Sequence, residues 1–64
     1  MRVARWLYRD AHGSELGHSD PFASQAEAEA FMARAWAELY DRGVRTVVLV
    51  VDGQELYDMS LEAG

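Results

Sequence analysis

Between Thr46 and the pair Asp52-Gly53 the chain runs Val47-Val48-Leu49-Val50-Val51, five apolar residues in succession. A strand with one wet face alternates, because successive side chains point to opposite sides of a sheet. This segment does not alternate, so a strand with apolar groups on both faces is expected here. Asp52-Gly53 is a strong two-residue hairpin signal, since both turn positions need positive φ. It predicts a fourth strand returning from Gln54.

Upstream, residues 3–9 do alternate, with Ala4, Trp6 and Tyr8 on one side and Val3, Arg5, Leu7 and Arg9 on the other. Asp10 to Gly13 is turn material, and a second strand over about residues 14–18 is expected to return. The expected register sets Arg9 opposite Glu15, Tyr8 opposite Leu16 and Trp6 opposite His18. Ser24 with Glu27 forms a capping box, whose side chains satisfy the N–H groups that a helix start leaves unpaired. Residues 25–42 then contain neither Pro nor Gly, and Ala28, Phe31, Met32, Ala35, Trp36 and Leu39 recur at helical spacing. Trp36 lies at the margin of that stripe, placed either to close the core or to sit at a rim.

Gly43 is positioned to end the helix in a left-handed cap, with Val44 folding back onto Leu39. Alternation counted onward from Val44 places Thr46, Val48 and Val50 toward the helix. It places Val47, Leu49 and Val51 away from it, with Tyr57, Met59 and Leu61 joining the helix side. The chain therefore reads as one α+β domain, residues 1–64, of ββαββ order. The most economical sheet is four-stranded and antiparallel, in spatial order 2-1-3-4, with the helix on one face.

One helix covers one face. The other face is expected to carry Val3, Leu7, Val47, Leu49, Val51 and Leu56, with Arg5, Arg9 and Arg45 as a polar rim. The chain has no second layer to set over these groups. A domain of 64 residues buries only about 60% of its unfolded surface and is marginal on its own. No cysteine is present to add a disulfide or a thiolate zinc site. The expectation is a protein-interaction module that homodimerises through the sheet face opposite its helix, or docks another protein there. The plainer reading is that a β-rich strand tolerates exposed valine, since apolar atoms make up about half of any protein surface.

Other classes find less support. Eleven acids against six arginines leave a net charge of −5, which opposes general affinity for phosphate backbones. The runner-up is an accessory or regulatory protein using a strip of Arg2, Arg5, Arg9 and Arg45, but a sheet that binds RNA usually adds exposed aromatics. Here Trp6 and Tyr8 have the opposite parity. His12 and His18 with Asp10, Glu15 and Asp20 match no metal-ligand spacing. No serine elbow and no glycine-rich phosphate loop occurs. Neither a cofactor nor enzyme activity is expected.

The start MRVARWLYRD has no apolar run longer than three residues, and no stretch approaches a membrane-spanning length. A cytoplasmic location is the expectation. Lys, Ile and Asn are missing while Ala is abundant, as codons of a GC-rich genome produce. Trp6-x-Tyr8, the run Gly13-Ser14-Glu15-Leu16-Gly17-His18-Ser19-Asp20-Pro21-Phe22, Ala-Glu-Ala before Phe31, and Gly43-Val44-x-x-Val47 ahead of Asp52-Gly53 together resemble short actinobacterial proteins of no assigned function. The resemblance spans nearly the whole chain. It implies no activity and carries no site residue.

Overall fold

The computed structural model describes residues 3–62. Strands β1 (Ala4–Arg9) and β2 (Glu15–His18) precede helix α1 (Gln25–Asp41), and strands β3 (Thr46–Val51) and β4 (Gln54–Ser60) follow it. All neighbouring strands are antiparallel, in the order β2-β1-β3-β4. The apolar β3 therefore lies inside the sheet, where both its backbone edges are paired.

Each boundary has a local cause. Asp10 Oδ1 accepts the backbone N–H groups of His12 and Ser14, closing the first turn. Ser24 Oγ accepts from Glu27 N–H, and Glu27 reaches back to Ala23 N–H, so the capping box forms one residue wider than its simplest version. At the far end Val44 N–H donates to the Leu39 carbonyl and Gly43 N–H to that of Tyr40, both at 3.0 Å. That pair of bonds is the Schellman motif, and Gly43 supplies its left-handed residue with φ of 100°. Asp52 and Gly53 take φ of 52° and 81°, the positive pair that a tight hairpin turn of mirror-image type requires.

The helix rests on the β1 side of the sheet. Trp6, fully buried, donates its indole N–H to the carbonyl of Ala28 at 2.7 Å. Beyond β2 the chain continues along β1: Ser19 N–H donates to the Trp6 carbonyl, and Ala4 and Phe22 exchange a pair of backbone bonds. Phe22 then meets Phe31 with ring centroids 5.1 Å apart, clamping the helix from that side. Ala4, Trp6, Val47 and Leu49 of the sheet close on Ala28, Met32 and Leu39 of the helix, with Val44 and Leu61 at the end.

That core reverses the expected parity of β3. Val47 and Leu49 are fully buried under the helix and Val51 packs against the same cluster, whereas Val48 and Val50 belong to the opposite face. The register agrees, since Ala4, Trp6 and Tyr8 pair with Val51, Leu49 and Val47. Strict alternation holds only within a pleated strand, and Val44 and Arg45 precede β3. Val44 is in the core, yet the Arg45 guanidinium also lies on the helix side, 3.9 Å over the Tyr40 ring. Two successive residues thus face one way, and the count inverts.

Two bulges complete the differences. β1 pairs Arg9 with Glu15 as expected but then Tyr8 with Gly17 and Leu7 with His18, which leaves Leu16 unpaired. β4 pairs Gln54 with Val51 and Glu55 with Val50, then resumes with Tyr57 opposite Leu49, leaving Leu56 as the extra residue. Because of that bulge Tyr57 and Met59 stay on the helix side, where the sequence placed them, opposite Leu49 and Val47.

Candidate interaction surface

An α-helix with its side chains is about 10–12 Å across, while strands lie about 4.8 Å apart. One helix therefore covers roughly two strands of four. Because Trp6 and the Phe22–Phe31 pair hold α1 toward β1, the uncovered part of the helix side lies over β4. A cleft of about 500 Å³ opens there, walled by Met32, Ala33 and Trp36 of the helix and by Tyr57, Met59 and Leu61 of the returning chain, with Trp6 as its floor.

The walls are apolar and partly open to water. Trp36 is 47% exposed, Met59 39% and Tyr57 36%, and Tyr40 continues the belt one turn beyond Trp36. A shallower hollow between Trp36, Tyr40, Leu61 and Glu62 extends it along the helix. Glu29, Ser60 and Glu62 bring polar side chains to the main cleft, and Tyr57 and Trp36 add a hydroxyl and an indole N–H to its otherwise apolar walls. Glu29 is held in place: its Oε2 accepts the Tyr57 hydroxyl at 2.7 Å and the Gln25 amide at 3.3 Å. Those two donors lower the Glu29 pKa, so the carboxylate is ionised at neutral pH. Burial, and then the adjacent Glu29 carboxylate, push the Tyr57 phenol up to about 12.

The face opposite the helix differs from its expected composition. Of Val3, Leu7, Val47, Leu49, Val51 and Leu56, the three β3 residues are in or against the helix-side core, leaving Val3, Leu7 and Leu56. Val48 and Val50 join this face; Val48 is only 1% exposed, so its neighbours already shield it, and Val50 is half-buried. Arg9 reaches Glu55 at 3.5 Å. The face thus carries five aliphatic side chains, of which Val48 is fully and Leu7 and Val50 are partly shielded, crossed by the Arg9–Glu55 pair.

The arginine strip is divided as well. Arg45 turns away from Arg5 and Arg9 to stack on Tyr40, donate to the Tyr40 and Val44 carbonyls, and approach Glu62 at 3.8 Å. Arg2 lies outside the described residues. A second cleft, on the other flank of α1, is mixed in character, with Tyr8, Ser19, Asp20, Glu38 and Arg42 beside Phe22 and Phe31. Burial raises the pKa of its Tyr8 phenol. Among the described residues no three His, Asp or Glu side chains gather as a metal site, and no helix is long and apolar enough to cross a membrane.

Trp36, Tyr40, Tyr57 and Met59 are the residues that the sequence reading did not assign to a contact surface. Trp36 and Tyr40, one turn apart at the edge of the apolar stripe, were the available signal: a stripe wider than its core must show one margin to solvent. Tyr57 and Met59 had the right parity, but nothing in one sequence says on which strand a helix comes to rest. No family model, curated protein or solved structure matches the chain.

Proposed function

We propose that this chain is a non-enzymatic protein-interaction module that works as a homodimer, with its contact surface on the α1–β4 flank rather than on the face opposite the helix. The observation that carries the reading is the gathering of Trp36, Tyr57 and Met59 around one apolar cleft, with Tyr40 on the shallower hollow that continues it. With full aromatic side chains of about 150–250 Å², their exposed parts come to roughly 300 Å². That is the size of the largest patch on an ordinary monomer, and such patches are often functional. Here it sits on a molecule whose whole accessible surface is 4340 Å².

A stable interface takes about 800 Å² per partner, close to a fifth of that surface, so the belt would form its centre and the flanking helix and strand its rim. Aromatic side chains at the centre of an interface carry most of its binding energy. Three of the four belt residues are aromatic. The runner-up reading, nucleic acid on an arginine strip, has less to stand on, because Arg9 is paired with Glu55 and Arg45 is engaged with Tyr40.

Sedimentation equilibrium over a concentration series tests the proposal. The wild type is expected to approach twice its 7.2 kDa mass, Trp36→Glu to remain monomeric, and Leu7→Glu, on the opposite face, to dimerise as the wild type does. A wild type that stays monomeric throughout, or a dimer broken by Leu7→Glu and not by Trp36→Glu, overturns it.

A further inference from the structure

Resting on that reading, we infer that the two copies meet about a two-fold axis near Ala33, so that the Trp36 of each is received by the Glu29 end of the other's cleft. A two-fold interface is self-complementary: if residue i meets residue j, then j meets i. The helical wall of the cleft has the required symmetry. Glu29 stands at one end, Trp36 at the other, and Ala33, a small side chain, between them.

The two ends are chemical complements. Trp36 is a half-exposed aromatic whose indole N–H can only donate. Glu29 is an ionised carboxylate fixed by Tyr57 and Gln25, and it can only accept. Turning a second copy by half a revolution about the midpoint of residues 29 and 36 exchanges the two ends, setting each indole against the partner's Glu29. The apolar walls between them then cover each other.

Charge decides in favour of this arrangement over a parallel one. Side by side and parallel, each Glu29 would stand level with its own copy. In the antiparallel arrangement the two are offset by seven residues, about 10 Å at 1.5 Å per residue. That is at or beyond the screening length of physiological salt, about 8 Å, so the two Glu29 carboxylates do not repel each other appreciably across the contact. The helix dipoles also oppose one another, which favours the antiparallel pair.

Cysteine crosslinking reads the geometry directly, since the chain has no cysteine of its own. Ala33→Cys places one thiol per copy beside the axis, and under mild oxidation it is expected to form a covalent dimer at least about tenfold faster than Leu7→Cys. Trp36→Phe, which keeps the ring and removes the donor, and Glu29→Gln, which removes the charge, are each expected to weaken dimerisation severalfold. The double variant should be little weaker than either, because one contact is lost in both. If the wild type dimerises but Ala33→Cys crosslinks no faster than Leu7→Cys, or the two substitutions prove additive, this geometry is wrong while the dimer stands. A wild type that is monomeric removes both.

Discussion

Tyr57 on the edge strand donates its hydroxyl to Glu29 on the first turns of the helix, 2.7 Å from oxygen to oxygen. The same ring meets Trp6 edge to face with centroids 6.1 Å apart. Tyr57 thus ties β4 to the helix across the cleft that separates them. It braces a wall that would otherwise be held by the hairpin alone.

Alkaline titration tests that tie. Below pH 10 the phenol is neutral in both folded and unfolded chains and contributes no pH dependence. Its folded pKa is raised to about 12, so between about pH 10 and 12 the unfolded chain releases a proton that the folded chain keeps, and stability falls as pH rises. Ultraviolet difference absorbance should resolve a late phenol step that Tyr57→Phe abolishes and Glu29→Gln moves to lower pH. A late step that survives Tyr57→Phe would assign it elsewhere.

The parity of β3 separates two neighbouring residues. Leu49 is fully buried between helix and sheet, so Leu49→Arg sets an unpaired charge in the core and is expected to prevent folding. Val48 is equally inaccessible but lies on the face without a lid, where an arginine can extend its charged end to water. Val48→Arg is expected to fold, at a cost of about 1–3 kcal/mol. Denaturant melts compare them; an unfolded Val48→Arg beside a folded Leu49→Arg reverses the assignment.

Gly43 gives a cleaner backbone measurement. Its φ of 100° suits glycine, and the space where a side chain would begin is open. Gly43→Ala therefore costs conformational strain without a clash, about 1 kcal/mol or somewhat more. The midpoint of urea unfolding should fall with no change in slope. A neutral result means that the Schellman bonds of Gly43 and Val44 do not hold the helix end.

What could be read from the residues, and what could not, divides by physical range. Ser24 with Glu27, Gly43 with Val44, and Asp52 with Gly53 each act over a few bonds, so their chemistry alone placed a helix over about residues 25–42, where Gln25–Asp41 is helical, and the second hairpin. Strand order 2-1-3-4 followed from keeping the most apolar strands central. Face assignment failed at Arg45, because one unpleated step between helix and strand reverses every later side chain and leaves no mark in composition. The bulge at Leu16 had a faint sign in Gly17, whose φ is 150°; the bulge at Leu56 had none. The candidate surface depends on where α1 rests across four strands, a property of the assembled core.

Leu56 is the one β4 residue skipped between the Glu55–Val50 and Tyr57–Leu49 pairs, so deleting it leaves every cross-strand partner of β4 in place and removes only the kink. Deleting Asp58 instead carries Tyr57 onto the far face or, if the strand slips the other way, Met59, Ser60 and Leu61. Leu61 is 8% exposed and belongs to the core, and displacing a buried leucine costs about 2–5 kcal/mol. Thermal or denaturant unfolding should find the Leu56 deletion within about 1 kcal/mol of wild type, the ordinary scale of a single change, and the Asp58 deletion several kcal/mol weaker. Equal losses from the two deletions would mean that β4 is held by its turn rather than by the faces its side chains take.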